Sequence, residues 1–384
     1  MSRPRCFAAG YPSFPFRLIS AFFRVQWHIM ETAQGEKILT SGNEAAAEAA
    51  IRAGCRFYYG YPITPQNEIP AYMAEHMPEV GGTFIQAESE LAAISMCYGT
   101  SATGNRCMTS SSSPGISLKQ EGISYMAGAE LPVLIINVQR EGPGLGGIAA
   151  LQGDYFQSTR GGGHGDYRTI VLAPYSVQET ADLVMEGFDL ADLYRIPVLI
   201  LTDAQIGQLM EPMVYRSPRK RKLPDKSSWA LSGARGRPRH IIKSFFWGTN
   251  DLKDFTEHLR RKFETISQKE VRFEDVQVED AEVVIVAYGT PARIATEVVR
   301  RMRAEGKKVG LLRPITLWPF PTKHVREVAS RVKSFLVVEM SLGQMVEDVR
   351  LAVEGQRPVN FFGWAGGGAP TASEIIEEIR RLNK

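Results

Sequence analysis

Thr83-Phe-Ile-Gln-Ala87 runs without a break into Glu88-Ser-Glu90-Leu-Ala-Ala and on through Gly99 to Gly104. The opening residues make a short apolar run suited to a strand. The segment after Glu90 carries no charge until Arg106 and is built of small and apolar residues at helical spacing. A solvated helix would intersperse charges, so this one is packed on most sides, and Glu90 stands alone where a strand hands over to a helix. A carboxyl set into such surroundings is suited to proton transfer. An acid near a helix start also favours the positive end of the helix dipole, a role Glu88 shares, so position alone leaves both readings open.

Upstream, residues 56–61 make a second strand candidate that ends in Tyr61-Pro-Ile-Thr-Pro65, where two prolines fix the backbone around Thr64. Downstream, residues 132–139 make a third, running into Arg140 and then Gly142-Pro-Gly-Leu-Gly-Gly147, and residues 197–202 make the last of this half. Helix patterns alternate with them. Asn43 caps an alanine-rich segment closed by Gly54, Ser113-Pro114 reads as a cap with a first-turn proline, and Ser176 opens an amphipathic run to Arg195. This alternation over residues 37–203 implies an α/β fold with a doubly wound parallel sheet. In such a sheet the carboxyl ends of the strands share a crevice. An acid, a hydroxyl and a guanidinium would then converge on a site for a small carboxylate, which arginine grips with a two-pronged hydrogen bond.

From about residue 280 the alternation repeats on a smaller scale, with strands at 283–288, 309–312, 335–339 and 359–364 and helices at 292–305, 346–354 and from 371. Residues 216–243 hold ten Lys or Arg against one acid, among Pro, Gly and Ser. The stretch 216–279 is read as a basic connector, a solvated linker before it is a docking strip for a partner or for acidic coenzyme A. Residues 1–35 form a leader, with Arg3, Arg5, Arg17 and Arg24 among aromatics and no acid before Glu31. Its composition resembles a targeting segment, but a translated upstream stretch with the native start at Met30 fits better. The 384 residues, 44 % of them hydrophobic, suffice for two cores. A net charge of +3 suggests no nucleic acid. No run reaches the about eighteen apolar residues that span a membrane. Cys6, Cys55, Cys97 and Cys107 are widely spaced, mostly within apolar segments, and read as small core residues of a cytoplasmic protein.

Six motifs occur along the chain in a telling order: Gly42-Asn-Glu-Ala45, Gly60-Tyr-Pro-Ile-Thr-Pro65, Gln86-Ala-Glu-Ser-Glu90, Thr109-Ser-Ser-Ser-Ser-Pro-Gly115, Gln139-Arg140 with Gly142-Pro-Gly144, and Gly161-Gly-Gly-His-Gly-Asp-Tyr167. Together they resemble the alpha subunits of 2-oxoacid:ferredoxin oxidoreductases, which are thiamine diphosphate enzymes, from residue 36 onward. Residues 110–115 and 161–167 are most similar to the branched-chain, 2-oxoisovalerate (3-methyl-2-oxobutanoate) type. The resemblance implies a pyrimidine-binding domain at 36–215 and a smaller transketolase C-terminal-like α/β domain at 280–384, the latter without catalytic residues. By the same resemblance Glu90 hydrogen-bonds the aminopyrimidine ring and promotes the carbon nucleophile that attacks the 2-oxo carbon. Tyr61 and Pro62 contact the cofactor, Thr64 and Arg140 orient the substrate, and His164 either approaches it from a glycine-rich loop or is a lone solvated histidine, its place in the motif favouring the site. The implied reaction is oxidative decarboxylation with coenzyme A to acyl-CoA, CO2 and reduced ferredoxin.

Part of that machinery belongs on other chains. Thiamine enzymes hold diphosphate and magnesium with Gly-Asp-Gly and a later Asn, whereas here Gly165-Asp166 precedes Tyr167 and no Asn occurs between Asn137 and Asn250. Iron–sulfur ligation needs closely spaced cysteines, and these four are far apart. The implied assembly is a hetero-oligomer: a beta subunit that shares thiamine diphosphate and holds magnesium, a ferredoxin-like iron–sulfur subunit, and a gamma subunit, with no metal ligand on this chain. The alternative substrates are 2-oxoglutarate and pyruvate, and the alternative role is a noncatalytic scaffold. A nicotinamide reading is poor: Gly142, Gly144 and Gly147 spell the dinucleotide fingerprint, but Pro143 interrupts it and no helix pattern comes after it. Gly366-Gly-Gly-Ala-Pro370 suits either an anion cradle or a plain helix start.

Overall fold

A computed structural model describes residues 36–216 and 221–382, so the leader expected at 1–35 and its start at Met30 lie outside the described residues. β1 (Ile38–Ser41) hands over to α1 (Gly42–Arg52) at Ser41, whose hydroxyl accepts from Glu44 N while the Glu44 carboxylate accepts from Ser41 N. The cap expected at Asn43 is therefore two residues earlier. Ser41 has the extended backbone that points a side chain back at the first turn, whereas Asn43 lies inside the helix and donates to Pro65 O and Glu68.

The alternation then proceeds through β2 (Phe57–Gly60), α2 (Glu68–His76), β3 (Thr83–Gln86), α3 (Glu90–Ala102), β4 (Cys107–Ser111), α4 (Ser113–Gly128) and β5 (Val133–Gln139). After a long loop come α5 (Tyr155–Arg160), β6 (Ile170–Leu172), α6 (Val177–Tyr194), β7 (Pro197–Asp203), α7 (Ala204–Gln208) and β8 (Met210–Met213), the last pairing antiparallel with β1. Ser176 caps α6 as expected, its hydroxyl accepting from Glu179 N. The N-terminal flanking position of α4 is Ser112 rather than Ser113, with Pro114 in the first turn and no side-chain capping bond, and the Ser113 hydroxyl is engaged elsewhere.

The second half holds α8 (Thr249–Lys269), β9 (Phe273–Val276), β10 (Val283–Val286), α9 (Gly289–Ala304), β11 (Val309–Pro314), β12 (Thr316–Trp318), α10 (Thr322–Ala329), β13 (Ser334–Glu339), α11 (Met345–Val353), β14 (Val359–Gly363) and α12 (Ala372–Leu382). The segment expected to be a connector thus contains a long helix and a strand. α8 escapes a composition reading because its outer face is a charge run, with Arg260 paired to Glu257 and Glu264, while Leu259 and Ile266 are buried. Basic residues ahead of it are answered within the chain, Arg221 by Glu186 and Lys226 by Asp192, each at 2.6 Å.

The first sheet has the order β12-β6-β7-β5-β4-β2-β3, parallel except for β12. β12 comes from the second half, so the two halves interlock. The second sheet runs β14-β13-β10-β11-β9 with only β9 antiparallel. Helices cover both faces of the first sheet. Tyr58, Met108, Leu134 and Ile136 pack with residues of α1, α2 and α6, while Tyr59, Cys107, Val133 and Ile135 pack with residues of α3 and α4. Burial on both faces is why the central strands read as unbroken apolar runs. From β2 the chain passes outward to β3 and then returns to β4 on the other side. The strand order therefore reverses between β2 and β4, and the crevice at their carboxyl ends is the position where such sheets bind ligands.

Candidate active site

Arg140 comes directly after β5 and is 7 % exposed. Its Nη1 donates to Thr64 O at 2.9 Å and its Nη2 to Leu145 O at 3.0 Å, so the guanidinium joins the loop after β2 to the glycine-rich loop after β5. Both acceptors are neutral carbonyls. Among the described residues no carboxylate pairs with Arg140, and its buried Nε has no hydrogen-bond partner. A buried cation without a counter-charge is costly, and remaining donors of this geometry suit a carboxylate.

The backbone under Arg140 is braced. Its N–H donates to Ser113 Oγ at 3.1 Å, the Ser113 hydroxyl donates to Asp154 at 2.6 Å, and Asn137 Nδ2 donates to the same carboxylate oxygen at 2.9 Å. Burial pushes the Asp154 carboxyl above the usual range, with the Ser113 and Asn137 donors opposing. Thr64 is half-buried. Its Oγ1 accepts from Asn67 Nδ2 at 3.3 Å and keeps its own proton to donate. Tyr61, 40 % exposed, and Pro62 stand at the mouth of the same loop.

Glu90 is the first residue of α3, which is capped by Ser89 through Ala92 N. It is 5 % exposed, yet its carboxyl makes no hydrogen bond to any described residue. It faces the start of α4, where a Cβ on Gly115 would stand 2.5 Å from Glu90 Oε1 and closer still to Ser111 Oγ, so a larger residue there would push both side chains aside. The hydroxyls of Ser111 and Ser112 are buried without partners. Lys119, one turn beyond Gly115, is fully buried, and its Nζ donates to Glu90 O at a long 3.4 Å. Burial lowers its ammonium from 10.5 to about 8, against the opposing influence of Cys97 and Glu90.

Thr64 and Arg140 are thus in contact, and Glu90 lies on the other side of the start of α4. His164 is not brought to them. It is exposed, its carbonyl accepts from Ser124 Oγ at 2.8 Å, and its ring meets Tyr125 edge-on at 6.1 Å. Ser124 is roughly 16 Å along α4 from Ser113 at 1.5 Å per residue. The loop is held there by Tyr167, whose hydroxyl accepts from Gly163 N at 2.9 Å. The glycines at 366–368 do meet an anion, but one from this chain: Glu141 Oε1 accepts from Gly367 N at 2.8 Å. Sequence reading offers Ser110 to Ser113 either as helix caps or as lining for the cofactor or a partner, and it does not single out Gly115, Lys119 and Asp154. Lys119 had a signal, being the sole charge between Arg106 and Glu121. The others depend on how α4 packs against α3 and β5, which leaves no local trace.

Residues 48–277 match the family model described as pyruvate flavodoxin/ferredoxin oxidoreductase, thiamine diphosphate-binding, and residues 281–375 match pyruvate:ferredoxin oxidoreductase core domain II. The chain is 50 % identical over 344 residues to the ketoisovalerate oxidoreductase subunit VorB of Methanothermobacter thermautotrophicus, covering 90 % of this chain and 97 % of that one. It is 39 % identical over 334 residues to the 2-oxoglutarate synthase subunit KorA of Archaeoglobus fulgidus, covering 85 % and 95 %. A solved 2-oxoglutarate:ferredoxin oxidoreductase from Magnetococcus marinus aligns with a TM-score of 0.81 at 26 % identity, over 91 % of this chain and 66 % of that longer one. A split-gene transketolase, with a TM-score of 0.53 at 14 % identity over 89 % and 97 %, shares the fold alone. The chain belongs to the 2-oxoacid:ferredoxin oxidoreductase family. It is an enzyme subunit whose first half is a thiamine diphosphate-binding domain. Among the described residues no helix is long and apolar enough to cross a membrane.

Proposed function

We propose that this chain carries the proton-transfer and substrate-gripping half of a site that oxidises the branched-chain 2-oxoacid 2-oxoisovalerate with coenzyme A, reducing ferredoxin. The observation that carries the reading is a pair of buried ionisable side chains, Glu90 and Arg140, neither of them in an ion pair with a described residue, at the crevice where the strand order reverses. Thiamine diphosphate fits the residues present. Its aminopyrimidine ring offers hydrogen-bonding nitrogens to the unpartnered Glu90 carboxyl and Ser111 hydroxyl, which lie together over Gly115. Bound there, the cofactor supplies a nucleophilic carbon for the 2-oxo group and a sink for the electrons released by decarboxylation.

Glu90 holds a proton at its carboxyl and passes it to a ring nitrogen, and the positive end of α3 favours the carboxylate left behind. Tyr61 and Pro62 wall the mouth. The free donors of Arg140 grip the substrate carboxylate while the Thr64 hydroxyl donates to the 2-oxo oxygen. Because that carboxylate departs as CO2, the grip of Arg140 is expressed chiefly in binding. His164 has no part in this chain's own cluster.

The preference for 2-oxoisovalerate is supported by the higher identity to the ketoisovalerate relative, 50 % against 39 % for the 2-oxoglutarate one. The relatives are named as subunits, which supports an assembly of several chains. In this reading its other members are a diphosphate- and magnesium-binding beta subunit, an iron–sulfur subunit and a gamma subunit, in the cytoplasm. The test is anaerobic viologen reduction, dependent on a 2-oxoacid and coenzyme A, by the complex captured on this chain. The highest rate is expected with 2-oxoisovalerate. Preference for 2-oxoglutarate or pyruvate would overturn the substrate, and no activity despite thiamine and iron–sulfur content would overturn the function.

A further inference from the structure

Lys119 is a buried charged group for which the proposed chemistry has no use. It lies four residues beyond Gly115 on α4, so the two share the helix face that packs on α3. The side chain is fully buried. An ammonium can donate several hydrogen bonds, yet among the described residues the only acceptor Lys119 meets is Glu90 O at 3.4 Å, and none of them forms an ion pair with it. Glu90 and Cys97, both on α3, are the titratable groups that act on its charge. From β5 and β7 the same core receives the apolar Ile135 and Leu199, and from the 161–167 loop Tyr167 reaches Gln120 instead. A charge in this position weakens the fold, and an apolar side chain of equal length would fill the space without that cost.

We propose that Lys119 is a positioning residue for Glu90: it holds the first carbonyl of α3 and supplies the positive charge against which the Glu90 carboxyl releases its proton to the cofactor ring. This rests on the proposed role of Glu90 as the proton donor. The step is a proton transfer alone. The O–H bond of the Glu90 carboxyl breaks and an N–H bond forms on the ring, which gains the positive charge that Glu90 balances as a carboxylate. Lys119 keeps its own proton throughout. In surroundings of low dielectric a nearby ammonium favours the charged form of a carboxyl, which is the form the transfer leaves. Because burial brings the lysine to about 8, the assistance fades in mildly alkaline solution.

The test uses the assembled complex with Lys119→Met, Glu90→Gln and both together. It reads the thiamine diphosphate dissociation constant, alongside kcat, from well below to well above about pH 8. Lys119→Met is expected to weaken cofactor binding about ten-fold below that pH and to abolish the pH dependence through it, and to change nothing further when Glu90→Gln is already present. Additive effects in the double variant, or a pH profile that Lys119→Met leaves in place, would overturn the proposal while sparing the role of Glu90. Unchanged turnover in Glu90→Gln alone would overturn the underlying role of Glu90 instead. Thermal unfolding of Lys119→Met is expected to be no lower than wild type. A lower midpoint would mark the lysine as structural and overturn the proposal as well.

Discussion

Two glutamates, each buried where the carboxyl end of a strand meets a helix, have opposite surroundings. Glu339 ends β13 with no exposure, and its carboxylate accepts from Ser341 Oγ at 3.0 Å and from the amides of Gln344, Met345 and Val346 at 3.1, 2.9 and 2.9 Å. Burial still pushes it above the ordinary carboxyl range, against those donors. Glu90 opens α3 and finds no donor. The arginines repeat the contrast. Arg313, 2 % exposed, is answered by Glu179 at 2.8 and 2.9 Å and by Glu274 at 2.8 Å, whereas Arg140 meets only carbonyls. One sheet end is completed by its own chain, and the proposed function has a ligand complete the other. Fold alone would not separate the two, since both sheets are mainly parallel; the hydrogen-bond accounting does.

Exchanging each glutamate for glutamine strains the contrast most. Glu90→Gln is expected to lower kcat of the complex by about 10²–10⁴-fold with its thermal unfolding unchanged. Glu339→Gln turns an acceptor into a partial donor facing amides, and should cost about 1–3 kcal/mol of stability while turnover is kept. Equal losses of activity in the two variants would erase the distinction.

Lys119→Met tests whether burial at the first crevice is a burden. The folded ammonium is lowered from 10.5 to about 8, so between those values the unfolded chain binds a proton that the folded chain does not, and wild-type stability rises with pH there. Below that window the folded chain carries the buried charge. The variant should then be more stable by roughly 3 kcal/mol, an advantage that shrinks as pH climbs through the window. Urea titrations on both sides of it would show this.

The arginine pair sharpens the contrast further. Arg140→Lys keeps charge but loses the fork, and should raise KM for the 2-oxoacid about 10- to 100-fold with a smaller change in kcat. Arg313→Lys should lose about 1–3 kcal/mol of stability and leave KM alone. The smallest effect is expected at a completed helix start: Ser41→Ala should lower stability by about 1 kcal/mol, read by thermal unfolding, with no kinetic change.

The sequence carries most of this fold wherever a strand is buried on both faces, because β5 and β7 can only read as apolar runs. It does not carry β12, three residues whose partner β6 lies in the other half, since pairing at that range leaves no periodicity. α8 is hidden by its charged outer face. Within the site, Glu90 is visible as a lone acid in an uncharged stretch and Arg140 as a cation at a strand end. That both lack answering groups is a property of packing. The place of His164 is likewise a property of packing: a motif fixes its neighbours in sequence, and in this chain Tyr167 holds the loop that carries it.

The most direct test is a structure of the assembled complex with thiamine diphosphate bound. A ring nitrogen within about 3 Å of a Glu90 carboxyl oxygen, with the ring against Gly115, is the expected result. A Glu90 carboxyl hydrogen-bonded within its own chain, with the ring held elsewhere, would contradict the claim that the unanswered groups of the first crevice are ligand groups.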